Sequence, residues 1–185
     1  MRANIESSIF IPLDSVHNVE TLKICPIYQR FYGEFRYPDS RTFQNMISME
    51  VKFYDYLWRF LHNMMQYTPK LQDLVISKHT FVIVVSMVMK KLEGFFIPWI
   101  DNPNPIPECL SSHLRTCYIK GFGSKEGFAC VIPFAKYIVK NGRVLETMKI
   151  SCIDQFAKDL INGELLSWQK SSPTCQVNIV GGSST

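Results

Sequence analysis

An apolar-x-x-apolar-x-apolar pattern occurs five times along the chain, as Val19-x-x-Leu22-x-Ile24, Met46-x-x-Met49-x-Val51, Leu71-x-x-Leu74-x-Ile76, Leu114-x-x-Cys117-x-Ile119 and Leu145-x-x-Met148-x-Ile150. In each copy the fourth and sixth positions lie two apart, the period at which a strand presents side chains to one face. Each copy is therefore predicted to be a short strand with those two positions turned into a core and their neighbours turned away. Successive copies begin 27, 25, 43 and 31 residues apart, long enough for a helix to return the chain and leave neighbouring strands parallel.

The segments between the copies carry helix period. Leu57, Trp58, Leu61, Met64 and Met65 share one face, with Pro69 just beyond. Phe128, Val131, Ile132, Ala135, Ile138 and Val139 form a second stripe that Asn141-Gly142 ends. Pro133 lies inside that stripe and is expected to confine the helix to the residues around and after it, because it lacks an N–H. Ile153, Phe156, Ala157 and Leu160 mark the predicted buried face of a further helix, running to about Trp168 through Gly163. A strand from Cys175 to Val180 closes the pattern, and GGSST reads as a flexible tail. Apart from the third, the offsets lie near the period of leucine-rich repeats. The predicted fold is an α/β, leucine-rich-repeat-like solenoid of parallel strands and helices.

Breakers divide the chain. Pro26 stops the first strand, and Tyr28 to Phe43, aromatic and basic with Gly33 and Pro38, reads as a loop that packs its rings on neighbouring structure. Four of the ten prolines fall between Pro98 and Pro107, a density that forbids a ladder or a helix and forces an extended connection. It separates a repeat-like region, residues 1–95, from a second unit, residues 96–180, with 181–185 as the tail.

Composition narrows the function. At 185 residues, 46% apolar and 19% charged, the chain can bury a core without disulfides or metal. Its net charge of +4 is spread over single and paired cations such as Lys90-Lys91, so no basic tract marks a nucleic-acid partner. The apolar run Phe81 to Met89 is about half the ~20 residues a spanning helix needs, and no membrane role is expected. The six cysteines lack close pairing and sit in apolar patterns, no Asn-x-Ser/Thr sequon occurs, and the N-terminus lacks a signal peptide. These features suit a cytoplasmic or nuclear protein with reduced thiols.

Candidate chemistry is sparse. Gly121, Gly123 and Gly127 lie between a strand and a helix as in a dinucleotide-binding loop, but the third glycine is one position late and no acid ends the next strand. Cys109, His113 and Cys117 have ligand-like spacing, yet Cys117 falls on a core position and no fourth ligand is near. His17, His62, His79 and His113 have no nucleophile elbow beside them. No catalytic residue, cofactor or metal is assigned. What remains is the outward strand face, with four lysines against one Glu and one Asp, which suits a protein surface or a small acidic ligand. Lys23, Lys52, Tyr118, Lys120 and Lys149 are its candidate partner-binding residues, with Tyr118 and Lys120 as anchors. The alternative is that they are merely solvated strand residues.

Several strings together resemble the C-terminal half of plant F-box proteins with leucine-rich repeats and an FBD domain. IPECLSSHLRTCYIKGF (Ile106 to Phe122) is similar to the family's proline-cysteine-leucine opening and first strand, FAKYIVKNGRVLETMKI (Phe134 to Ile150) to its helix, polar turn and valine-leucine-x-x-methionine strand, and LLSWQKSSPTCQVNIV (Leu165 to Val180) to its closing segment. SVHNVETLKIC and YTPKLQDLVIS resemble its terminal repeats. The resemblance implies that residues 96–180 are an FBD domain ending a leucine-rich-repeat-like region. It also implies non-catalytic recognition of a protein, the substrate-selecting end of a ubiquitin-ligase adaptor. The F-box that docks such adaptors onto the ligase linker subunit is missing here, so this chain is not expected to bind that subunit directly. Thr80 to Ile97 is also more apolar than the family's charged loop. The alternatives are a nucleotide-binding α/β enzyme using the Gly121/Gly123 turn, and a degenerate copy without a target.

Overall fold

The computed structural model describes residues 2–7, 18–26, 43–53, 58–78, 105–123 and 125–181. The proline-rich connection before Pro105, the Phe81–Met89 run, the boundary at 95–96 and most of the aromatic loop lie outside them.

The described residues form one seven-stranded sheet, entirely parallel and in chain order: β1 (Arg2–Ser7), β2 (Thr21–Pro26), β3 (Ser48–Phe53), β4 (Asp73–Lys78), β5 (Thr116–Phe122), β6 (Thr147–Cys152) and β7 (Gln176–Gly181). Sequential parallel neighbours require each connection to run back along one side of the sheet. Helices supply several of these returns: α1 (Trp58–Gln66) before β4, α2 (Glu108–Ser112) before β5, α3 (Lys125–Asn141) before β6 and α4 (Gln155–Leu165) before β7.

All five predicted strands are present, and their register aligns the pattern. Leu22, Met49, Leu74, Cys117, Met148 and Val177 form one row across the sheet, and Ile24, Val51, Ile76, Ile119, Ile150 and Ile179 the next inward row. From β2 to β6 every member of both rows is buried, as are the pattern's opening residues Val19, Met46, Leu71, Leu114 and Leu145. A repeated contact sets this register. The Glu20 carbonyl accepts from the N–H groups of Ile47 and Ser48, Ile47 from Gln72 and Asp73, Gln72 from Arg115 and Thr116, and Arg115 from Glu146 and Thr147, all at 2.8–3.0 Å. Each entering strand is thus hung from the carbonyl that precedes the strand before it.

Four features depart from the expectations. β1 was not foreseen, because RANIES carries too few apolar residues to stand out; backbone pairing with β2, from Arg2 opposite Thr21 to Ser7 opposite Pro26, recruits it. α3 runs through Pro133 instead of beginning near it, and Val131, Ile132, Phe134 and Ala135 are buried on both sides, packing that offsets the one missing backbone bond. Gly121 lies inside β5 and not in a turn. α4 ends at Leu165, short of Trp168, and turns Ala157 and Ile161 inward, leaving Ile153, Phe156 and Leu160 at 53%, 59% and 40% exposure. The phase of α4 follows its cap, in which the Asp154 carboxylate accepts from the Ala157 N–H at 2.7 Å. Small Ala157 then lets the helix approach the sheet.

One polar group is buried between helices. His62 on α1 contacts the Tyr137 hydroxyl of α3 and the Gln66 amide, each at 3.4 Å, with the His62 and Tyr137 rings edge to face at 5.9 Å. Gln66 in turn donates to the Pro105 carbonyl, so the cluster ties α1, α3 and the start of the second half together. Burial holds the His62 pKa below its ordinary 6.5, outweighing the bonds that favour its charged form. The unfolded chain therefore takes up a proton that the folded chain resists, and stability present above that value is lost as pH falls below it. Denaturant midpoints at about pH 7.5 and about pH 5.5 should show this loss, and His62→Gln should reduce the difference. An unchanged difference would assign the loss to other groups.

Candidate protein-recognition face

With one face of each strand in the core, alternation puts the intervening residues on the other. Two rows cross that face. One runs Lys23, Glu50, Val75, Tyr118, Lys149, Asn178, and the second runs Lys52, Ser77, Lys120, Ser151, Val180.

Tyr118 stands at the centre. Lys120 follows it by two residues on β5 and so projects from the same face, while Lys149 is its direct opposite on β6. Both ammonium groups reach the Tyr118 ring, Lys120 Nζ at 4.6 Å and Lys149 Nζ at 4.8 Å from its centroid. Each such cation–π contact contributes about 0.5–1 kcal/mol where solvent reaches it. The ring thus gathers two like charges that would otherwise separate.

The acids on this face already have partners. Lys23 lies opposite Glu50 and forms an ion pair with it at 2.7 Å. That hydrogen bond holds the Glu50 carboxyl below its ordinary 4.5 against the opposing effect of burial, helped by the nearby charges of Lys23, Lys52 and Lys120. Asp73 accepts from the Thr116 hydroxyl at 2.6 Å. Among the described residues no carboxylate pairs with Lys52, Lys120 or Lys149. The five candidate residues therefore divide: Tyr118, Lys120 and Lys149 come together, Lys23 is engaged by Glu50, and Lys52 stands exposed on β3, two strands away from Lys120. Val75, Ser77 and Ser151 complete the face. They occupy the same pattern positions as the lysines, but a search guided by charge passes over them. The Ser77 hydroxyl is buried without a hydrogen-bond partner.

The other candidates take structural places. At Gly121 the ladder slips between Lys120 and Phe122, with φ at 77°. This bulge turns Phe122 into the core, where it is buried opposite Cys152. A Cβ on Gly123 would meet Ile153 Cβ at 2.8 Å and Asp154 Oδ2 at 2.9 Å, so the space beside this glycine is occupied by the β6–α4 turn and faces a carboxylate, not a phosphate. Cys117 is buried in the inward row, and His113 pairs through Nδ1 with the Ser112 hydroxyl at 2.7 Å. Burial pushes the Cys109 thiol up to about 12 and raises those of Cys117, Cys152 and Cys175, the opposite of activation for nucleophilic chemistry. His17 and His79 lie outside the described residues. Among the described residues no group of three or more His, Cys, Asp or Glu side chains could hold a metal ion, and no helix is long and apolar enough to cross a membrane.

Comparison with known proteins adds to this picture. The model of the FBD family matches residues 102–150, from the approach to α2 through β6. An F-box/FBD/LRR-repeat protein of Arabidopsis thaliana is 32% identical over 147 residues, covering 76% of this chain and 30% of that protein. A second, from the same plant, is 27% identical over 142 residues, covering 75% of this chain and 28% of its own length. A putative third is 27% identical over 176 residues, 89% of this chain and 35% of that protein. The chain thus spans about a third of the length of these relatives. No solved structure matches it. With the family match on the organising strand–helix–strand unit and its relatives covering most of the chain, this protein belongs to the plant FBD-containing proteins.

Proposed function

We propose that the chain is a non-catalytic protein-recognition module, corresponding to the substrate-selecting part of an F-box-type ubiquitin-ligase adaptor, and that it presents its partner with the outward sheet face centred on Tyr118. In this reading the sheet is the strand wall of a leucine-rich-repeat-like solenoid, with the FBD domain extending over residues 96–180. The relatives' names, which join F-box, FBD and LRR-repeat, support the adaptor assignment. The observation that carries the choice of face is the Lys120–Tyr118–Lys149 cluster. An aromatic ring held by cations, on a surface backed by a continuous core, supplies a rigid anchor with long cationic side chains around it, the residue types that dominate interface energies.

Affinity purification from source tissue, comparing the wild-type chain with a Tyr118→Ala, Lys120→Ala variant, tests this. The variant should recover markedly less of any specific partner while its thermal midpoint stays nearly unchanged, since both side chains lie outside the core. Undiminished recovery would move the site away from this face, to the aromatic segment between Tyr28 and Phe43 as the next candidate.

A further inference from the structure

We infer that the Lys120 region of this face is a phosphoryl-binding site and that the partner segment it receives is phosphorylated, a deepening that rests on the face being the recognition surface. Lys52, Ser77, Lys120 and Ser151 stand in one row, one from each of four adjacent strands. Strands in a sheet lie about 4.8 Å apart, so the Ser77 hydroxyl falls between two lysine-bearing strands. That hydroxyl is buried and has no hydrogen-bond partner. Unsatisfied buried polar atoms are few in folded proteins, and a missing ion is one of their ordinary explanations.

Charge points the same way. Tyr118 holds the Lys120 and Lys149 ammonium groups at 4.6 and 4.8 Å from its ring centroid, and neither has a carboxylate partner among the described residues. The acids that could neutralise them are engaged, Glu50 by Lys23 and Asp73 by Thr116. A single carboxylate would balance one of the two ammonium groups. A phosphate monoester carries close to two negative charges and three acceptor oxygens, which matches two ammonium groups and a hydroxyl donor. The cations converge on one ring instead of tracking along the surface, which fits a single phosphoryl group better than a nucleic-acid backbone.

The test uses the full chain, isotopically labelled, titrated with inorganic phosphate and, separately, with chloride at matched ionic strength, reading backbone amide shifts on β4, β5 and β6. Phosphate should give saturable shifts there and chloride none. Lys120→Gln should weaken the phosphate affinity about tenfold, the loss of one charge-assisted hydrogen bond. Ser77→Ala should weaken it too without lowering the thermal midpoint, because the hydroxyl it removes has no partner in the fold. A short Gly/Ser peptide with one phosphoserine should move the same amides and compete with phosphate, and its unphosphorylated form should not. Equal, non-saturating shifts with phosphate and chloride, or unchanged affinity in Lys120→Gln, would overturn the site. Phosphate binding without phosphopeptide binding would overturn the protein-borne source. The recognition face is judged independently: partner capture that Tyr118→Ala abolishes but phosphatase treatment of the extract leaves intact would sink the phosphoryl inference and leave the face standing.

Discussion

Leu145→Ala is expected to destabilise the fold by about 2–5 kcal/mol, the range for truncating a fully buried leucine. Leu145 is fully buried where the end of α3 meets the start of β6. Its N–H donates to the Gly142 carbonyl at 3.4 Å, and a Cβ on Gly142 would lie 3.0 Å from its own Cβ. The backbone of the next two residues is fixed, since Glu146 and Thr147 both donate to the Arg115 carbonyl. Chain this tightly held cannot move in to refill the space, which places the cost toward a cavity instead of a collapse. The check is a urea midpoint, read beside Leu166→Ala. Leu166 is 97% exposed, and its truncation should stay within about 0.5 kcal/mol of wild type. Equal midpoints for the two variants would remove Leu145 from the core.

Gly121→Val should destabilise by roughly 1–3 kcal/mol, the cost of forcing a side chain into a sparsely populated backbone region, and a β-branched residue is among the least tolerant of it. At φ 77° Gly121 forms the bulge that lets Phe122 face inward. If the variant relieved its strain by losing the bulge, the next residue would slip to the opposite face and Phe122 would leave the core. Gly123→Ala adds a different penalty, a Cβ 2.8 Å from Ile153 Cβ, an overpacking that the β6–α4 turn must yield to relieve. The same experiments address the nucleotide alternative. Titration calorimetry of the wild-type chain with NAD and with ATP should show no saturable binding. Saturable binding, together with a wild-type midpoint for Gly121→Val, would return these glycines to a ligand loop.

Much of the candidate site could be read from residue order. That Tyr118 and Lys120 share a face, and that Lys149 and Lys23 lie on it too, follows from alternation once the inward positions are known. The pairings could not be read that way. Lys23 and Lys149 occupy equivalent pattern positions, yet one meets Glu50 and the other meets Tyr118, because their strands have different neighbours. Ser77 escaped notice for another reason: a hydroxyl carries no charge to mark it, and only its burial without a partner makes it informative.

By itself, the order of residues determined the inward rows of five strands, the α/β character and the polar chemistry of the outer face, because side-chain alternation and helical period are geometric consequences of short stretches of backbone. Tertiary structure alone decided the pairing of β1 with β2, the bulge at Gly121, the passage of α3 through Pro133, and the phase of α4 that leaves Phe156 outside and brings Ile161 in. It alone joined Lys120 and Lys149 over one ring. Each of these depends on a contact between segments distant along the chain, or on a balance between one local preference and the packing around it. A weakly apolar strand acquires its structure from the edge that it pairs with, and a proline remains in a helix when the buried residues beside it outweigh one missing hydrogen bond.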